Sequence, residues 1–162
     1  MNPRATLQIA PLAAVLAAGC ASFESLKPGM PAQQVESRVG APADIRKAGD
    51  GSEVWEYPLG PLGRQTYMVT VGADHSVKAV RQVMSDEYFA KVTKGMSRDE
   101  VRDLLGRPGE ISTFPARNEE VWTWRYLAQN PMLFHVVFDR GTGTVRSTLR
   151  LEEILFMDDD SG

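Results

Sequence analysis

Hydrophobic and polar residues follow a helical period in some stretches of this chain and an extended period in others. The helical period places apolar side chains on one face of two segments: Val35 and Val39 in the first half, and Val101, Leu104 and Leu105 in the second. A period of two then places apolar residues on one face of three stretches per half: Trp55 and Tyr57, Tyr67, Val69 and Val71, and Val77, Ala79 and Val83; then Trp122, Trp124 and Tyr126, Phe134, Val136 and Phe138, and Val145, Leu149 and Leu151. The pattern predicts a helix followed by three strands in each half.

The ends of the predicted helices carry residues that suit them. Ser97 and Glu100 have the spacing of a capping box, in which each side chain binds a free amide at the helix start. Pro31 can occupy the first helical position of the first half, where its missing N–H is not needed. A glycine and a proline stop each helix: Gly40 with Pro42, and Gly106 with Pro108. Shorter helices, each followed by a turn at a glycine, are predicted before them: residues 22–26 with Gly29, and residues 86–92 with Gly95.

These markers recur in the same order and at nearly the same spacing in both halves, which indicates a duplicated module. The tripeptide Glu-Val-Trp at 53–55, for example, recurs at 120–122. Short turns between successive strands predict an antiparallel meander. The predicted fold class is therefore α+β, with two tandem helix–helix–strand–strand–strand modules whose helices pack on a three-stranded antiparallel sheet. Since a module of about 60 residues is marginal alone, we expect the two to pack together, with a boundary near Met84.

Charge and composition exclude some classes of function. The 162 residues include 18 basic and 21 acidic side chains, for a net charge of −3. A basic nucleic-acid footprint is therefore absent from the composition, and so is a polybasic membrane patch. The composition is typical of a globular protein.

Candidate catalytic and metal-binding residues do not converge in the sequence. His75 lies in a predicted turn and His135 in a predicted strand, without the spacing of a metal-ligand pair. The glycines at 141 and 143 lack the lysine and helix of a phosphate loop and predict a hairpin turn. The acidic residues 158–160 are typical of a solvated tail. We predict no catalytic residue, no metal site and no cofactor, so the protein is not expected to be an enzyme.

The face of the predicted second sheet that points away from the helices carries basic residues. With the aromatic row turned inward as core, Arg125, Arg146 and Arg150 are expected to point outward. Lys78 occupies a similar position in the first half. These arginines are candidate partner-binding residues for an acidic protein or for phospholipid headgroups. The alternative is an ordinary solvated sheet face.

The amino-terminal segment is apolar and ends at the single cysteine, Cys20. A positive head, a short apolar stretch with Pro11 and the ending Ala-Ala-Gly-Cys resemble a bacterial lipobox and its secretory signal, and the stretch is too short to span a membrane. That resemblance implies a signal peptide over residues 1–19, cleavage before Cys20 and a lipid on its thiol. Alanine, not aspartate, at position 21 favours the outer membrane. The alternative is a buried cysteine at the end of a core helix.

The motifs in their order resemble the SmpA/OmlA, or BamE-like, family of outer-membrane lipoproteins. They are the lipobox, G-M-x4-V at the helix start, L-G-x-P at its end, E-V-W-x-[YW], and Val-Phe-Asp at 137–139 with Gly143 and Val145. The resemblance covers residues 23–151 and implies a non-enzymatic subunit of the outer-membrane β-barrel assembly machinery with the same layout. That family has one module where this chain has two. Tandem modules of this layout also resemble the β-lactamase inhibitor proteins.

Four segments follow from these patterns: a signal peptide (1–19), a first module (20–84), a second module (85–151) and an acidic carboxy-terminal tail (152–162). The predicted function is that of a lipid-anchored envelope lipoprotein at the outer membrane, facing the periplasm. It would be a protein-binding scaffold linked to β-barrel assembly and envelope integrity. The alternative is a module that binds and blocks a periplasmic or cell-wall enzyme.

Overall fold

The computed structural model describes residues 22–60 and 62–154. The predicted signal peptide and the lipid-attachment residue Cys20 lie outside the described residues, as do residues 155–162 of the acidic tail. Within the described ranges, none of the helices is long and apolar enough to cross a membrane.

In the described residues, short helices and eight strands alternate in two similar series. The elements in chain order are a 3-10 helix (Phe23–Ser25), α1 (Ala32–Val39), β1 (Asp44–Lys47), β2 (Glu53–Leu59), β3 (Gln65–Val71), β4 (Val77–Gln82), α2 (Asp86–Phe89), α3 (Arg98–Leu105), β5 (Glu110–Phe114), a 3-10 helix (Pro115–Arg117), β6 (Glu119–Leu127), β7 (Pro131–Asp139) and β8 (Val145–Glu152). The fold is a mixed α+β structure, as predicted.

The strands form two antiparallel sheets with the orders β1-β2-β3-β4 and β5-β6-β7-β8. The predicted meanders are confirmed, but the predicted three strands per sheet are wrong, because each sheet has four. The missed strands, β1 and β5, are edge strands that each pair with one neighbour. Their sequences, DIRK and EISTF, are mostly polar. These two strands are held by backbone hydrogen bonds to the neighbouring strand and not by burial of an apolar face. An alternation of apolar residues therefore does not reveal them in the sequence.

The ends of the helices match the local signals with two exceptions. The capping box is confirmed: the backbone N–H of Ser97 donates to Glu100 Oε2 at 2.8 Å, and the backbone N–H of Glu100 donates to Ser97 Oγ at 3.3 Å. Pro31 is the residue before α1 rather than its first residue. The two shorter helices are also shorter than predicted. After Phe89 the chain continues with i→i−3 bonds, such as Val92 N–H to the Phe89 carbonyl at 3.2 Å, which form turns and not a longer α-helix.

A β-bulge in β8 changes which residues face the core. Val145 pairs with Phe138 and Ser147 pairs with Val137, so Arg146 is an extra residue in the strand. Beyond it the alternation is inverted. Leu149 and Leu151, predicted to share the core face with Val145, are instead 49% and 51% exposed.

The first sheet has a bulge at the corresponding place. Val77 pairs with Val71 and Ala79 with Thr70, which makes Lys78 the extra residue. Val83, predicted for the same face as Val77, belongs instead to the core of the second half.

Two hydrophobic cores lie on either side of the first sheet. The first core packs α1 and the amino-terminal 3-10 helix on that sheet: Phe23, Leu26, Ala32, Val35, Trp55, Tyr57, Val69, Val71 and Val77. The second core contains the side chains of α2, α3 and the second sheet: Phe89, Val92, Val101, Leu105, Trp122, Trp124, Tyr126, Phe134, Val136, Phe138 and Val145. Met68, Val83 and Met84 of the first half also belong to this second core. The helices of the second half therefore lie between the two sheets.

Candidate functional site

The second sheet has one face against the helices and one face turned away from them. Trp122, Trp124 and Tyr126 are buried in the second core, which confirms the predicted inward aromatic row. Residues between them therefore point to the other side. We call this side the outer face; it includes Glu110 and Ser112 on β5, Val121, Thr123, Arg125 and Leu127 on β6, Leu133, His135 and Val137 on β7, and Ser147, Leu149 and Leu151 on β8.

Exposed leucines occupy one end of the outer face. Leu127 is 61% exposed, Leu149 49% and Leu151 51%. Leu133 pairs with Leu151, which extends this apolar surface across to β7. Single exposed apolar residues are ordinary on protein surfaces, but a contiguous set of them marks an interaction surface.

The prediction that three arginines share this face is wrong for Arg150. This residue pairs with Phe134, so its side chain lies on the helix-facing side of β8. Its guanidinium lies 5.7 Å from the ring centre of Phe89 and binds Asp86 of α2 at 2.8 Å. The β-bulge before Arg150 inverts the alternation from which its direction was predicted.

Arg146 lies at the opposite end of the sheet from the leucines. It forms ion pairs with Asp139, and with Glu119 at 3.6 Å. It also donates to the backbone carbonyl of Arg117 at 3.2 Å. Carboxylates of its own chain therefore already surround this cation.

Arg125 lies on the outer face, as predicted, and is tied to the end of β8. Its Nε donates to Glu153 Oε1 at 2.8 Å, and Arg64 of the first half donates to Glu153 Oε2 at 2.8 Å. Burial raises the pKa of the Glu153 carboxyl, but the hydrogen bonds and charges of Arg125 and Arg64 together outweigh it and hold that pKa below its ordinary value of 4.5. Each predicted arginine thus has a carboxylate partner, and its role in binding another molecule stays a prediction.

The histidine of the outer face is held by a neighbouring strand. His135 Nδ1 lies 2.8 Å from Thr123 Oγ1. Burial lowers the pKa of His135, and the negative charge of Glu110 opposes this shift only in part. In the part of the chain that the structure describes, no three His, Cys, Asp or Glu side chains come together as a metal site.

The turns that carried the other candidate residues have simple structural roles. His75 lies in the turn between β3 and β4, where its backbone N–H binds the Gly72 carbonyl at 2.9 Å. In the predicted hairpin turn, Asp139 Oδ1 accepts from the backbone N–H groups of Gly141 at 2.8 Å and Thr142 at 2.9 Å. These bonds stabilise the turn itself.

Residues 82–131 match the family model described as the outer membrane protein assembly factor BamE domain. This stretch is similar to that domain. The match covers α2, α3, β5 and β6, so it includes two of the four strands of the second sheet. The resemblance predicted from the motifs is confirmed for this stretch. No curated protein sequence matches the chain.

Three solved structures show weak likeness to the fold. A candidate beta-lactamase inhibitor protein from Streptococcus mutans is 13% identical with a TM-score of 0.34, and the alignment covers 80% of this chain and 92% of that one. An extracellular protein containing a SCP domain from Bacillus anthracis is 9% identical with a TM-score of 0.33, covering 95% and 56%. A DUF4309 family protein from Bacillus subtilis is 15% identical with a TM-score of 0.29, covering 75% and 77%.

Sequence reasoning missed the leucines of the outer face and the carboxylate that binds Arg125. The leucines were assigned to the core because the bulge at Arg146 was not recognised; an arginine between Val145 and Ser147 carries no local signal of a bulge. Glu153 comes directly after β8, and only the folded chain brings it to Arg64 and Arg125.

Proposed function

We propose that this protein is a lipid-anchored envelope lipoprotein that holds a partner protein at the outer membrane through the outer face of its second sheet. The observation that carries the proposal is the match of residues 82–131 to the BamE domain of outer-membrane protein assembly. The lipobox-like ending at Cys20 supports the anchor and the outer-membrane location, with the protein facing the periplasm.

The outer face has the composition of a protein-binding surface. Leu127, Leu149 and Leu151 present apolar side chains, and the ion-paired Arg125 and Glu153 lie beside them. An apolar centre with a polar rim is the usual anatomy of a protein interface. The binding energy then comes from burying the leucines, and the charged rim sets orientation and rejects wrong partners.

We also propose that the two halves are tandem copies of one module, and that the first copy supports the second. Corresponding contacts favour this origin: Trp55 Nε1 donates to Glu53 at 2.9 Å, and Trp122 Nε1 donates to Glu120 at 2.8 Å. The bulges in β4 and β8 correspond in the same way. The first copy then acts as a platform against which α3 packs, rather than as a second binding surface.

A site-specific crosslink tests the scaffold. A photoreactive residue is placed at Leu149 of the full chain in cells, and the matched control carries it at Ile45, an apolar residue of the first sheet that is 46% exposed. Recovery of β-barrel assembly proteins from membranes by the Leu149 probe alone is the expected result. Equal recovery by both probes contradicts the outer face as the binding surface. Recovery of a single periplasmic enzyme that the protein inhibits replaces the scaffold with the inhibitor alternative.

A further inference from the structure

A cavity of about 480 Å³ lies between the two halves of the molecule. Its polar lining comes from both sides: Glu56 and Thr66 from the first sheet, and Arg107, Trp124 and Arg125 from the second half. Ala43, Pro58, Leu62 and Pro108 supply apolar walls. Pockets for small molecules have volumes of about 300–1,000 Å³ and combine apolar walls with a few polar groups, often at the junction of two units.

Glu56 is a buried carboxylate whose second oxygen has no partner. The residue is 2% exposed, and its Oε1 accepts the backbone N–H of Arg107 at 2.9 Å. Its Oε2 is buried without a hydrogen bond, and the ion pairs found among the described residues include none with Glu56. The carboxylate lies against Gly106, where an added Cβ would come within 2.8 Å of Oε1. This is the carboxyl end of α3, where the helix dipole disfavours negative charge. A buried carboxylate in this setting calls for a donor or a cation.

Trp124 supplies the complementary unpaired group. It is 2% exposed and its Nε1 is buried without an acceptor. The other two tryptophans differ: Trp55 donates to Glu53 and Trp122 donates to Glu120. Of the three indoles in the chain, Trp124 alone lacks an acceptor in the described structure, and it is the one that lines the cavity. Glu56 and Trp124 thus come from opposite halves, both line the cavity, and each carries one buried polar atom without a partner.

Two guanidinium groups complete the lining. The side chain of Arg107 is 59% exposed, and its Nε lies 3.4 Å from Asp44. Arg125 binds Glu153 through Nε, while its Nη1 approaches Gly109, where an added Cβ would lie 3.7 Å away. The arginines can receive a negatively charged group, since guanidinium N–H groups are strong donors to carboxylates.

We propose that this cavity binds a short peptide with a free amino terminus. The ammonium group of the peptide pairs with Glu56 Oε2, a peptide carbonyl accepts from Trp124 Nε1, and the terminal carboxylate binds Arg107 and Arg125. The lining of the cavity combines one carboxylate with two guanidinium groups, and a zwitterion has the complementary charges. This inference shares Arg125 with the proposed outer face but uses neither the outer-face leucines nor the anchor, so the scaffold function and the peptide site can fail separately.

The indole signals of Trp124 and Trp55 test the proposal directly. The ¹⁵N-labelled full chain in detergent micelles is titrated with L-alanyl-L-alanine, the simplest peptide with all three groups, up to about 10 mM. Trp124→Phe identifies the Trp124 signal by its loss. We expect that signal to shift in a saturable way while the Trp55 signal, from an indole that already has an acceptor, stays in place. Absence of a Trp124 shift, which is the result expected if the cavity holds water only, overturns the proposal.

Two comparisons decide whether Glu56 recognises the ammonium group. N-acetyl-alanyl-alanine lacks that group and is expected to bind the wild-type protein about ten-fold or more weakly. Glu56→Gln is expected to weaken the unmodified dipeptide to a similar extent, whereas Glu53→Gln, on the same strand and facing the other side, leaves its affinity unchanged. Equal binding of the acetylated and free dipeptides overturns the proposal, and this comparison needs no variant to fold.

Discussion

Arg102 of α3 binds Asp44 of β1, from Nη2 to Oδ2 at 2.8 Å, across the junction of the two halves. Their side chains are 32% and 20% exposed, so water screens the pair only in part. Arg46 of the first half and Asp103 of α3 form a second ion pair across the same junction. The helix of the second half is therefore attached to the first sheet by charge on one side and buried in the second core on the other.

Removing this ion pair is expected to weaken the junction. In a double-mutant cycle with Arg102→Ala and Asp44→Ala, we expect a coupling free energy of about 0.5–1 kcal/mol, toward the upper end for partly exposed pairs. Urea unfolding of the full chain measures it. The control cycle uses Lys91 and Glu87, whose side chains are 45% and 73% exposed. A coupling no larger than that of the control pair would show that the junction does not depend on Arg102 and Asp44.

Trp122→Ala is expected to destabilise the second half strongly. Trp122 is 7% exposed, and its ring centre lies 4.9 Å from that of Phe138. Loss of a large core aromatic costs about 3–5 kcal/mol in the free energy of unfolding. Thermal unfolding checks this against Phe114→Ala, since Phe114 is 38% exposed. If both variants melt at the wild-type temperature, the row of Trp122, Trp124 and Tyr126 does not form part of the hydrophobic core.

Acid is expected to release the contact of Glu153 with its two arginines. The folded pKa of Glu153 lies below 4.5, its ordinary value in an unfolded chain. The stability it contributes is therefore complete above pH 4.5 and is lost as the pH falls through the lower folded value. Glu153→Gln should lower the free energy of unfolding near pH 6 and flatten its decline below pH 4.5.

The pH dependence is measured by urea unfolding at a series of pH values. Glu24→Gln, in the exposed part of the amino-terminal 3-10 helix, is the matched control and should retain the decline. A Glu153→Gln protein that loses stability with acid as steeply as the wild type would refute a role for this carboxylate.

Leu149→Asp separates binding from folding. Because Leu149 is 49% exposed, its replacement should change the free energy of unfolding by no more than about 0.5 kcal/mol. Recovery of the partner protein from membranes should nevertheless fall, since the charge disrupts the apolar surface formed by the leucines of the outer face. The control is Ile45→Asp on the first sheet. Full partner recovery with Leu149→Asp would remove the outer face from the proposed function.

Cys20→Ala tests the anchor without touching the described fold. The lipid requires a thiol, so the variant is expected to stay uncleaved or to leave the outer-membrane fraction. Membrane fractionation with detection of the precursor measures this, and Ser22→Ala nearby is the control. Normal fractionation of the Cys20→Ala protein would exclude lipid anchoring at this residue.

Local signals in the sequence predicted the start of α3 and the inward faces of β6 and β7. The capping box of Ser97 and Glu100 needs only neighbouring backbone. The burial of Trp122 on β6 and Val136 on β7 follows from the alternation of apolar and polar residues along these two central strands. The edge strand β1 was missed because its residues are mostly polar and are held by backbone hydrogen bonds to β2. Such bonds leave no pattern of apolar residues in the sequence.

The sequence by itself determined the two similar series of elements, the antiparallel meanders and the apolar faces, because each depends on residues close together in the chain. Tertiary structure decided the direction of Arg150 and Leu149 through the bulge at Arg146. It also brought Glu56 to Trp124 across the cavity between the halves. Such pairs meet only when two sheets and a helix are packed, and packing depends on the sum of many distant contacts.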